Sequence, residues 1–130
     1  MDFSLSGILT NLKQKHDSKK YSVEDLSYSL QETVFAMLIE VAERAMAHCN
    51  KNELLLGGGV ACNKRLQEMA NIMCRERNAK CFIPPNEVLI DNGEMIAYLG
   101  YLKHKAGIKE NINYLDIKPY QRTDQVFVNW

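Results

Sequence analysis

Leu54-Leu55-Leu56-Gly57-Gly58-Gly59-Val60-Ala61-Cys62-Asn63 is the stretch whose reading decides the fold: three apolar residues lead into three glycines and then into a polar helix. An apolar triplet of this kind reads as a short buried strand. Glycines without a Cβ let the backbone bend tightly and approach a ligand closely. A helix that follows points its free N–H groups back at the bend. Two readings of the turn stand side by side, a nucleotide-handling loop and plain strand-to-helix packing.

Working outward, the segment before the strand is a long amphipathic helix. Val23, Leu26, Leu30, Val34, Met37, Leu38, Val41 and Ala45 recur at three- and four-residue steps from Ser22 to about Cys49. Ser22 with Asp25 marks its start as an approximate capping box, and Asn50 marks its end. After the glycines, Lys64 to about Arg77 reads as a second helix with Leu66, Met69, Ala70 and Met73 on one face, and Lys80 to Ile83 as a second strand.

Pro84-Pro85 ends that strand, because proline cannot donate to a ladder, and a loop is expected from Asn86 to Ile90. A third helix should span Asn92 to about Ala106, with Met95, Ile96, Leu99 and Leu102 inward and Gly107 just past its end. Such alternation predicts an α/β fold with parallel strands, both carboxyl ends at one edge. A ligand held there would touch Asn63 and Asp91 together. At the N-terminus, Asp2–Gly7 alternates like a strand, Ile8–Leu12 reads as a short helical turn and Lys13–Lys20 as a charged linker. From Lys109 onward an irregular tail is expected, with Val126-Phe127-Val128 and Trp130 as a tail strand or docking segment.

Composition narrows the classes. With 130 residues, 46% hydrophobic and 25% charged, the chain is a single-domain-sized globular sequence rather than a disordered one. Lys plus Arg equals Asp plus Glu at 16 each, so any contact with nucleic acid must be local. Cys49, Cys62, Cys74 and Cys81 match neither paired zinc-site spacing nor a dense disulfide framework, and read as free thiols of a cytoplasmic protein. No apolar run approaches the roughly 18 residues of a membrane span.

Few residues are placed for chemistry. Asp91 opens the third helix either as its N-cap, with Glu94 completing a capping box, or as a carboxylate that ligates a metal with donors from elsewhere. Asn63 is either a helix cap or a hydrogen-bonding partner for a ribose or base edge. Lys64 and Arg65 occupy a first helical turn that disfavours cations, so an anion, such as a phosphate or RNA backbone, would compensate; solvated side chains are the plainer alternative. His16, His48 and His104 are not paired at metal-binding spacing, and Arg122-Thr123-Asp124 reads as a loop tied back by its own ion pair.

Together and in this order, Asp2-Phe3-Ser4-Leu5-Ser6-Gly7, Gly57–Asn63, Pro84-Pro85, Asp91-Asn92-Gly93-Glu94-Met95-Ile96-Ala97 and Arg122-Thr123-Asp124 closely resemble the C-terminal part of the catalytic subunit of tRNA N6-threonylcarbamoyladenosine synthase, once described as an O-sialoglycoprotein endopeptidase. The Arg-Thr-Asp tail resembles the archaeal and eukaryotic branch, which works in the KEOPS complex. The resemblance implies an actin-like ATPase fold of two ribonuclease-H-like lobes. It further implies a cleft holding an adenine nucleotide (threonylcarbamoyl-AMP or ATP) and one divalent metal, usually iron. The reaction it implies transfers threonylcarbamoyl from the adenylate to N6 of adenosine 37 in tRNAs reading A-starting codons.

By the same resemblance Asn63, Gly58 and Gly59 would serve the nucleotide and Asp91 the metal. The family takes further metal ligands from a His-x-x-x-His pair and a tyrosine in its first lobe; this chain has no such pair. Residues 1–130 are therefore expected to be one domain, a C-terminal lobe fragment inactive by itself, whose partners are the first lobe, KEOPS subunits including the small kinase, and tRNA. Cys62 and Glu94 depart from the family's small residue and alanine. A non-catalytic module docking the kinase or tRNA is the alternative, and metalloproteolysis, with no H-E-x-x-H helix, ranks last.

Overall fold

The computed structural model describes residues 4–109, 111–122 and 125–128 of the chain, in two compact units, Met1–Leu89 and Ile90–Trp130. In the first unit α1 (Ser6–Asp17), α2 (Val23–His48), β1 (Glu53–Leu55), a 3₁₀ turn (Gly59–Cys62), α3 (Lys64–Glu76), β2 (Lys80–Phe82) and α4 (Asn86–Leu89) follow one another. β1 and β2 pair in parallel, with Glu53 opposite Lys80, Leu54 opposite Cys81 and Leu55 opposite Phe82. The α/β alternation expected from the sequence is thus present as a small parallel sheet with helices.

α2 begins where its cap predicts: Ser22 Oγ accepts from the Asp25 N–H at 3.0 Å. It ends in a Schellman turn. Asn50 adopts a left-handed φ of 52°, and the Lys51 N–H reaches back to the Met46 carbonyl at 2.8 Å. α3 ends the same way, with Asn78 at φ 54° and the Ala79 N–H on the Cys74 carbonyl at 2.7 Å. Each exit reverses the chain into the strand that follows, so the two strands enter the sheet in the same direction.

Two ion pairs bridge α2 and α3. Arg65 meets Glu32 and Arg77, the C-cap of α3, meets Glu43; these partners lie eleven residues apart on α2 and twelve along α3 and its cap, about 17 Å along either axis at 1.5 Å per residue. The helices therefore run side by side in one direction. Between them and the sheet sits the core, Met46, Met73 and Cys74, with Ile39, Leu54, Ala79 and Cys81 packed against it. Leu66 and Ala70 complete the buried face of α3, while Leu89 of α4 is buried where that helix packs on the 3₁₀ turn.

Three expectations are corrected. The helical turn expected at Ile8–Leu12 is present but belongs to a longer helix that also takes in Ser6-Gly7, expected as strand, and Lys13–Asp17, expected as linker: Ile8 and Leu12, four apart, lie on one face over Leu26 and Leu30 of α2, and Lys15 and His16 suit the last turn. Asp2 and Phe3 of the expected strand lie outside the described residues. β1 is buried on one side only, because Leu54 turns to the core while Leu55 is 68% exposed. The expected loop after Pro85 contains the helical turn α4.

In the second unit α5 (Gly93–Lys105) ends at Gly107, whose φ of 76° and the Ile108 N–H on the Lys103 carbonyl at 3.0 Å make the same Schellman turn. The apolar residues expected to face inward do not: α5 has no buried residue, and Met95, Ile96 and Leu99 are exposed. Beyond a 3₁₀ turn at Ile112–Tyr114 the described tail is irregular, and Val126-Phe127-Val128 is not a strand. Thr123, Asp124 and Trp130 lie outside the described residues. No helix among those described is long and apolar enough to cross a membrane.

Because Met73 is 6% exposed at the centre of the core, Met73→Ala should cost about 2–5 kcal/mol through lost contact and the cavity left behind. Ile72→Ala, on the open side of the same helix, should cost far less in the same denaturant titration.

Candidate functional site

The glycine stretch is a two-step turn. After β1 the chain passes Gly58, whose φ of 89° and ψ of 163° fall in a region open essentially to glycine alone. It then winds through one 3₁₀ turn before α3 begins, so the helix does not spring directly from the glycines as the sequence implied. A Cβ built on Gly57, Gly58 or Gly59 would meet nothing within 4 Å, which leaves open space beside this backbone. The turn is held from α3 by Gln67, whose Nε2 donates to the Ala61 carbonyl at 2.8 Å.

Asn63 is where the turn becomes the helix. Its Oδ1 accepts the Arg65 N–H at 2.9 Å and the Leu66 N–H at 3.4 Å, which makes it the N-cap of α3. Its Nδ2 donates to Oε1 of Gln31 on α2 at 3.2 Å. The capping alternative read from the sequence is therefore realised, and the carboxamide retains one N–H for a ligand. Gln31 was not singled out in the sequence; only its position one residue before Glu32 on the polar side of α2 hinted at it.

The anion expected near Lys64 and Arg65 is supplied by the chain itself. Arg65 donates from Nε and Nη2 to the two carboxylate oxygens of Glu32, each at 2.8 Å, and from Nη1 to Glu68 at 2.7 Å. The Arg65 and Glu32 side chains are 37% and 24% exposed, so the fork is partly shielded from salt. These hydrogen bonds hold the Glu32 carboxyl below its ordinary 4.5 and raise the guanidinium pKa further. Lys64 is exposed.

Asp91 lies in the second unit and does not cap α5. That role belongs to Asn92, whose Oδ1 accepts the Met95 N–H at 2.8 Å. Asp and Asn cap about equally well, so two adjacent candidates could not be ranked from the sequence. Asp91 is exposed and makes no hydrogen bond or ion pair among the described residues, leaving both oxygens available. No group of three or more His, Cys, Asp or Glu side chains able to hold a metal occurs among those residues. Among the described residues the donor set fits a divalent cation only as one carboxylate of a shell completed by donors from elsewhere.

The four cysteines are free, as expected. Cys74 and Cys81 lie together in the core, and burial pushes the Cys81 thiol up to about 11 and raises Cys74 as well, so neither is a nucleophile near neutral pH.

A family model described as TsaD, tRNA N6-adenosine threonylcarbamoyltransferase, matches residues 1–98, a span that includes the glycine turn, Asn63 and Asp91. The chain belongs to this family. Among its relatives, the tRNA N6-adenosine threonylcarbamoyltransferase of Thermococcus sibiricus is 52% identical over 130 residues and that of Archaeoglobus fulgidus 51%; each alignment covers the whole chain and 40% of the relative. A probable bifunctional tRNA threonylcarbamoyladenosine biosynthesis protein of Methanococcus maripaludis is 52% identical over 132 residues, covering 24% of its length. The chain thus spans about two-fifths or less of the curated relatives it matches.

Two outcomes follow from the turn and the fork. Gly58→Ala should destabilise by about 1–3 kcal/mol through backbone strain, whereas Gly59→Ala, with no positive φ and open space around it, should cost less in the same unfolding assay. A carboxyl whose pKa is lowered on folding contributes stability above its unfolded value and loses it as pH falls. Glu32→Gln should therefore lower the melting temperature at pH 7, and its deficit relative to wild type should shrink as pH drops below 4.5.

Proposed function

We propose that this chain is part of the C-terminal lobe of a two-lobed, actin-like tRNA N6-adenosine threonylcarbamoyltransferase. In the proposed reaction, threonylcarbamoyl passes from threonylcarbamoyl-AMP to N6 of adenosine 37 of tRNA. The observation that carries the reading is the family match across residues 1–98 together with about half identity to transferases over the full chain. The missing length of the relatives supports a site completed by a first lobe.

In this reading, Gly58 and Gly59 let the backbone approach the adenylate, since no Cβ occupies the space beside them. Asn63 donates its remaining Nδ2 hydrogen to an acceptor on the nucleotide. Asp91 offers a carboxylate to a divalent metal, with iron the ion the resemblance implies; when bound, such an ion neutralises phosphate charge or polarises the carbamoyl carbonyl. Holding the adenylate in one orientation against the target adenosine is the main contribution expected of this lobe. We further propose a cytoplasmic setting and partnership with tRNA and KEOPS subunits, including the small kinase; the bifunctional name of the methanococcal relative is compatible with a companion activity.

Asp91→Ala in the full-length enzyme should abolish metal retention, read by elemental analysis, and lower threonylcarbamoyl transfer by roughly 100-fold or more. Wild-type metal content with wild-type transfer would remove Asp91 from this role.

A further inference from the structure

We infer that Gln31, on α2, is a positioning residue that locks the orientation of the Asn63 carboxamide and thereby makes Asn63 a donor to its ligand. The inference rests on the reading of Asn63 as a nucleotide contact. An asparagine amide can flip, presenting either a donor or an acceptor to a bound molecule. Here every partner dictates one answer. The N–H groups of Arg65 and Leu66 require an acceptor, so Oδ1 faces α3. Nδ2 then faces Oε1 of Gln31 at 3.2 Å.

Gln31 is itself oriented. The Nδ2 it meets can only donate, so Gln31 presents Oε1 to Asn63 and turns its own NH₂ away. Glu32, the next residue of α2, is held by both prongs of the Arg65 guanidinium, which ties this part of α2 to α3. This line of bonds runs from the α3 backbone through Asn63 to Gln31 on α2, beside the fork between Glu32 and Arg65. One Nδ2 hydrogen remains outside it. A ligand meeting Asn63 must therefore present an acceptor, such as a ribose oxygen, ring nitrogen or phosphoryl oxygen, and an amino group in that place is rejected.

The test is a double-mutant cycle in the full-length enzyme with ATP as probe, read by calorimetry and by melting temperature. Asn63→Asp keeps the cap, since Asp serves as well as Asn, but removes the donor; Gln31→Met keeps length and helix propensity but removes the acceptor. Each single change should weaken ATP binding by about fivefold, the worth of one hydrogen bond. The double variant should be no weaker than Asn63→Asp alone, because Gln31 acts only through Asn63. Gln31→Glu, which keeps an oxygen toward Asn63, should recover most of the affinity. If Asn63→Asp weakens binding while Gln31→Met does not, or if the two losses multiply, the positioning role is overturned and the nucleotide reading stands. Unchanged ATP affinity in Asn63→Asp overturns the nucleotide reading, and the inference with it.

Discussion

The fork between Arg65 and Glu32 is the constraint on which the first unit depends. It places a cation in a helical turn whose dipole disfavours it, and the arrangement persists because two carboxylates, Glu32 and Glu68, surround the guanidinium. With this end of α3 pinned to α2, the second pair at Arg77 and Glu43 falls into register three turns further on. The helices must then run parallel, and the strands that leave them must pair in parallel. The glycine turn and Asn63 lie at the pinned end, so the same contact that orders the layers also orders the candidate ligand-binding edge.

Hydrophobic burial fills in what the polar contacts align. The core rests on two methionines and a cysteine, side chains that adapt to an irregular space where three-residue strands meet long helices. Among the described residues only a modest set of side chains is buried, and many large apolar ones, including Leu55, Val60 and Phe82, stay exposed. That balance accords with a chain spanning two-fifths of its relatives' length.

Much of this was legible in the sequence because the signals were long or chemically sharp. α2 carries a periodicity over 26 residues with a serine cap, and the glycines and paired prolines punctuate the strands. Less was legible where signals were short or degenerate. Ile8 and Leu12 give α1 only one apolar stripe beside six alternating residues that imitate a strand. Asp91 and Asn92 compete for one cap with nearly equal chemistry. The apolar residues of α5 have helical spacing, which predicts the helix correctly, but spacing cannot say whether anything covers them. Asn63 was identified, yet its partner 32 residues away was not, since a lone glutamine on a polar helix face carries no local mark.

The two-stranded sheet has a further consequence for how such a chain behaves in company. Among the described residues each strand has one paired edge and one outer edge of unmatched backbone groups, with Leu55 and Phe82 exposed beside them. Long, flat edges of that kind template aggregation, and very short strands are one way natural proteins blunt them. At three residues each, β1 and β2 offer too brief a ladder for open-ended polymerisation. They still provide a seed onto which another strand can be laid, so the sheet combines resistance to runaway self-association with room to grow.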